Sequence, residues 1–124
     1  MKPAYSYYTD KMWRYFIPRL ESSRESGIKP VFHNKIEQEN YVLCDLIWSG
    51  LSPTERDVMT VIYSIRKDSL DDAIGMLAAK HSLSAQAVWS IAHRIGRQLG
   101  IRKGLVAEQG ENAYPSAQNG AEDK

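Results

Sequence analysis

A single cysteine, Cys44, stands in a chain of 124 residues. It excludes an intramolecular disulfide and a cysteine-built metal cluster, and reads as a small buried hydrophobe. No apolar run approaches the roughly 18 residues that a membrane span needs, and no charged start followed by an apolar centre marks a secretory leader. The expectation is a cytoplasmic protein with no membrane partner. Histidine is scarce as well. His33, His81 and His93 have no metal-ligand spacing with a carboxylate or thiol. No glycine-rich loop follows a strand, and no alternating pattern lasts long enough to build one. The expectations are therefore no enzyme, no catalytic residue, no metal and no cofactor.

One further absence is local. Between Ser84 and Leu105 there is no carboxylate, while Arg94, Arg97, Arg102 and Lys103 all fall in that stretch. The formal net charge of +1 hides this layout. Met1 to Ile36 holds Lys2, Lys11, Arg14, Arg19, Arg24, Lys29 and Lys35 against Asp10, Glu21 and Glu25. The acids gather between Glu37 and Asp72 and after Leu105. Two basic zones thus flank an acidic middle, which is the local asymmetry that a nucleic-acid partner calls for.

What the chain has in abundance is helical periodicity, with 43% hydrophobic and 25% charged residues, the balance of one globular domain. Met76 to Leu99 reads as two helices bent around a tight turn. Val88, Ile91, Ile95 and Leu99 form the apolar seam of the second, spaced three, four and four apart. Ser84 is the expected N-cap and Gly100 the expected left-handed close. Opposite the seam lie Gln86, Trp89, Ser90, His93, Arg94 and Arg97. Upstream, Ile74, Leu77 and Ala78 face the same core, Ser82 and Leu83 make the turn, and Leu83 plugs the space between the helices. An ordinary helical hairpin in a bundle has the same apolar pattern. The acid-free polar face favours a DNA-binding helix-turn-helix at about residues 70–100.

In chain order, residues 1–30 read as an aromatic, basic arm and loop. Tyr5, Tyr7, Tyr8, Trp13, Tyr15 and Phe16 alternate with cations; Thr9 caps a short helix to Ile17 that Pro18 kinks or ends. Such a segment either stacks on bases or folds on its own domain or a second subunit. Glu21 to Pro30 reads as a loop. Residues 31–105 read as the helical DNA-binding domain. Asn34 and Glu37 form a capping box for a helix from about Lys35 to Ser49, with Ile36, Leu43, Leu46 and Ile47 as its seam, Tyr41 and Trp48 beside it, and Gly50 at its end. Ser52-Pro53-Thr54-Glu55 opens the next helix with an N-cap, a proline at the first position and a reciprocating glutamate. Its seam is Val58, Val61, Ile62 and Ile65, with Arg56 and Asp57 on the solvated side. Ser69 and Asp72 fit another capping box, and Asp71 with Asp72 suits a helix dipole better than acid–base chemistry. Residues 106–124 read as a disordered tail.

Leu51 to Met59 with Tyr63, then Leu77-Ala78-Ala79, then Leu83-Ser84 to Val88, resemble region four of bacterial sigma factors over roughly Leu51 to Leu105. The resemblance implies an all-α bundle of short helices whose last one enters the major groove. By position it puts Gln86, Ala87, Trp89, Ser90, His93 and Arg94 on DNA, with Ser84 and Arg97 near phosphates. The chain departs from the pattern at His81, where the family has a leucine, and at Trp89, where it has a small polar or basic residue. Its size and layout are similar to small sigma-like transcriptional regulators of phages and mobile elements.

The mechanism expected on this reading is binding to double-stranded DNA without covalent chemistry. Arg94, Arg97, Arg102 and Lys103 neutralise phosphates, Gln86, Ser90 and His93 offer hydrogen bonds to base edges, and Trp89 gives an apolar contact. One such helix reads few base pairs, so a homodimer through the N-terminal half, or docking on RNA polymerase, is the expected supplement. Two rivals remain open: a DNA-packaging adaptor like a terminase small subunit, and a sigma-like module that binds polymerase instead of DNA.

Overall fold

The computed structural model describes residues 4–64 and 67–106. The described residues are all-α: α1 (Ala4–Ser26), α2 (Lys35–Ser49), α3 (Pro53–Ser64), α4 (Leu70–His81) and α5 (Ala85–Lys103), with a 3-10 turn at Lys67–Ser69 before α4. None of these helices is long and apolar enough to cross a membrane. Helix α5 is the axis of the bundle and packs against all four of the others.

The largest departure from the sequence reading is α1. The stretch expected as an arm with a short helix is one helix of 23 residues that runs through Pro18 and takes in the first part of the expected loop, to Ser26, leaving residues 27–30 non-helical. Thr9, Met12, Trp13, Phe16, Ile17 and Leu20 are its buried residues, spaced three and one apart on both sides of the proline. Burial of several large side chains, each contributing about 1.5–3 kcal/mol, outweighs the roughly 3 kcal/mol that an internal proline costs. Arg19 Nη1 donates to the Tyr15 carbonyl at 2.8 Å beside the proline. Thr9 does not cap: it is buried inside the helix, and its hydroxyl donates to the Ser6 carbonyl. The exposed aromatics of α1 are Tyr7, Tyr8 and Tyr15, whereas Trp13 is fully buried, tilted against Trp48 of α2 at 6.1 Å.

Helix α2 starts and stops where expected, with Asn34 Oδ1 accepting from Glu37 N at 2.8 Å. Its seam does not run as expected. Ile36 and Leu46 are 64% and 55% exposed, and the buried line is Asn40, Cys44, Ile47 and Trp48. The spacing of four, three and one keeps these four on one face, and the bulk of Trp48 fixes that face inward. Helix α3 shows the complete reciprocal cap: Ser52 Oγ accepts from Glu55 N, and Glu55 Oε1 accepts from Ser52 N. Val58, Met59 and Ile62 are buried, Val61 is half-buried, and Ile65 lies outside the described residues.

Arg56 and Asp57 do not belong to a merely solvated side. The Arg56 guanidinium donates to the carbonyls of Trp48 and Ser49, closing the end of α2. Asp57 reaches across to α4. At Ser69 the expected cap does not form, because the 3-10 turn gives it φ −107 and ψ 7 in place of extended backbone. Helix α5 continues past Gly100 to Lys103, and Gly104, at φ +84, makes the left-handed close. Gly100 is buried where α5 crosses α1. Val106, expected as the first tail residue, is buried against that crossing; the rest of the expected tail, 107–124, lies outside the described residues.

Candidate nucleic-acid interface

Residues 82–84 join α4 to α5. Ser82 takes the left-handed conformation, φ 57 and ψ 45, and the Leu83 N–H bonds the Ala78 carbonyl at 2.8 Å, the closing pattern of a helix that turns sharply. Leu83 is half-buried and packs on the core between the two helices. Ser84 Oγ then accepts from Ala87 N at 3.0 Å and starts α5. Ser84 is exposed, but its hydroxyl oxygen is engaged in this cap.

Val88, Ala92, Ile95, Gly96, Leu99 and Gly100 are buried on α5, and Ile91 is half-buried. With the inner side so fixed, Gln86, Ser90, His93 and Arg94 come out exposed on the other side, with Arg97 half-buried among them. At 1.5 Å per residue, Gln86 to Arg97 spans about 16 Å. This stripe carries two arginines and no carboxylate of its own helix.

Four expected members stand differently from their neighbours. Ala87 is half-buried. Trp89 is also half-buried, packed on the rim of the core and stacked with His93 at 5.9 Å, so its indole offers one edge and not an open face. Arg102 and Lys103 leave the stripe. Four residues turn a helix by 400° and not 360°, so a stripe drifts, and after two further turns these side chains lie toward α2. There Lys103 Nζ donates to the Asn40 side-chain oxygen at 2.7 Å.

Two carboxylates of α3 reach the same end of the molecule. Glu55, while capping its own helix, takes Arg94 of α5 as an ion-pair partner. The Glu55 carboxyl is held below its usual range first by the Ser52 N–H and then by Arg94. Asp57 accepts from His81 Nε2 at 2.7 Å and pairs with Lys80 Nζ at 3.0 Å, both at the end of α4. The hydrogen bond to His81 is the main cause of its lowered pKa, with Lys80 adding to it. Thr54 Oγ1 lies 3.4 Å from the other His81 ring nitrogen. His81 thus makes a polar bridge between α3 and α4 just before the turn.

Sequence reasoning missed Glu55, Asp57 and Asn40 as partners of the cationic residues. Capping boxes were legible; which helix a capping acid also touches depends on how the helices cross. Comparison with protein-family models, with curated proteins and with solved structures found no match to this chain.

Proposed function

We propose that this protein is a sequence-specific DNA-binding regulator of transcription, with no catalytic step, that lays the outer face of α5 in the major groove of double-stranded DNA. The observation that carries the reading is the exposed stripe Gln86, Ser90, His93 and Arg94 on a helix capped at Ser84 and held from behind by the whole bundle. A groove about 12 Å wide admits one helix, and the side chains present amide, hydroxyl, imidazole and guanidinium groups to base edges and phosphates. Arg94 and Arg97 supply charge, and Gln86, Ser90 and His93 supply base contacts. The reading draws also on the order of a serine-capped α3 that opens on Pro53, then α4, a three-residue turn and α5, which is the order the sigma region-four resemblance implies.

The test is fluorescence anisotropy of the full chain with duplexes selected from a random library, measured from low to moderate salt. Arg94→Ala with Arg97→Ala is expected to flatten the slope of log affinity against log salt by about 2, one for each phosphate contact. Gln86→Ala and Ser90→Ala are expected to relax the selected sequence with little change in slope. A chain that selects no duplex, or an arginine double variant that binds like the wild type, overturns the reading.

A further inference from the structure

A second feature lies at the far end of α5, away from the stripe. Lys35, Val42 and Leu43 of α2 meet Arg102 and Lys103 of α5 around a groove of about 610 Å³, with Glu39 on its rim. Val42 is 56% exposed, and Leu46, one turn further along α2, is 55% exposed. Three cations around an apolar floor do not suit a phosphate backbone, which has no apolar part to bury there and would meet Glu39. They suit a peptide that carries both acids and an apolar side chain.

We propose that this groove is the docking surface for residues 107–124 of the same chain. That segment holds Glu108, Glu111, Glu122 and Asp123 with Lys124 as its cation, and it contains Tyr114 and Pro115. It begins directly after Val106, which is buried beside Gly100 at the end of α5. Glu108 and Glu111 therefore start within a few residues of Arg102 and Lys103, and the eight residues from Val106 to Tyr114 reach at most about 29 Å when extended. Tethering so close gives an effective concentration on the order of millimolar, so weak contacts suffice. Glu108 and Glu111 meet Arg102, Lys103 and Lys35, and Tyr114 covers Val42 and Leu46. The docked segment takes Arg102 and Lys103 away from any other anion. This inference does not depend on the DNA reading, and its test contains no DNA.

The experiment places a photo-reactive benzoylphenylalanine at Val42 of the full chain, where the native side chain is already exposed; the same probe at Leu46 serves if the first variant fails to fold. After irradiation at low ionic strength, mass spectrometry of the digested monomer is expected to find the probe joined to peptides from 107–124. Carrying Glu108→Lys with Glu111→Lys in the same chain is expected to lower that yield by about fivefold or more, as is high salt, which screens the contacts. Adducts to other regions of the chain alone, adducts that join two chains, or a yield indifferent to charge reversal and salt each overturn the proposal.

Discussion

Arg94 Nη2 lies 2.5 Å from Glu55 Oε2, so an arginine of the outer face of α5 is tied to the carboxylate that caps α3. A phosphate approaching Arg94 therefore competes with a carboxylate already in place. Glu55→Gln keeps an oxygen for the Ser52 N–H and removes the charge. It is expected to raise duplex affinity about three- to tenfold at low salt, with the gain shrinking as salt screens the contacts. In an Arg94→Ala background the gain is expected to vanish, which anisotropy titrations of the two single variants and the double variant will read. Stability should change by no more than about 1 kcal/mol, because the Arg94 side chain is half exposed.

The α3–α4 bridge has a sign that can be worked out. The Asp57 carboxyl sits below its ordinary value because His81 donates to it and Lys80 stands beside it. A carboxyl with a lowered folded pKa contributes stability above its unfolded value, near 4, and loses it as pH falls through the folded one. Asp57→Asn is thus expected to cost about 1 kcal/mol near neutral pH, the ordinary worth of a hydrogen bond to a charged partner at a partly exposed site. The wild-type and variant stabilities should draw together as the pH falls below the ordinary carboxylate range. Urea denaturation at neutral, mildly acidic and strongly acidic pH checks this; a constant gap across the series rules it out.

These two bridges mark the boundary of what the residues disclose by themselves. Caps were legible because Asn34, Ser52 and Ser84 act on backbone within three residues of themselves. The face of α5 was legible because its apolar spacing repeats over four turns. Helix α1 was not, since Pro18 breaks the local rule and only the burial of Met12, Trp13, Phe16, Ile17 and Leu20 against distant helices restores it. Ile36 and Leu46 fit a plausible seam of α2, yet Asn40, Cys44, Ile47 and Trp48 fit another, and only packing chooses between them. Of the candidate interface, the exposed polar residues followed from periodicity, whereas Trp89 at the core rim and Lys103 on Asn40 depend on neighbours from other helices.

Cys44 gives a direct probe of that packing. It is fully buried, and burial, with Asp45 adding to it, pushes its thiol up to about 12. Near pH 8 that leaves only about one part in ten thousand as the reactive thiolate. The native protein is expected to resist a thiol-specific chromogenic reagent and to react with one equivalent once denaturant is added. Any reaction of the native chain should follow the rate at which the core opens. Fast native labelling would mean that α2 does not stay seated on the core.

Two glycines in helices make opposite predictions. Gly75 is exposed in the middle of α4, and a Cβ added there meets nothing within 4 Å. Gly75→Ala removes backbone freedom from the unfolded chain and is expected to stabilise by about 0.5–1 kcal/mol. At Gly100 the same methyl would come 2.9 Å from Tyr5 Cδ1 and 3.3 Å from Val106 Cγ2, closer than the crossing of α5 over α1 can accept without movement. Overpacking of this kind costs about 1–3 kcal/mol, which exceeds the helix-propensity gain of about 1 kcal/mol, so Gly100→Ala should lower the melting temperature. Because the clash is with the Tyr5 ring, Tyr5→Ala should make Gly100→Ala less costly than it is in the wild type, and a double-mutant cycle by thermal denaturation measures the difference. Additive effects of the two substitutions would mean that α1 and α5 do not cross at these residues.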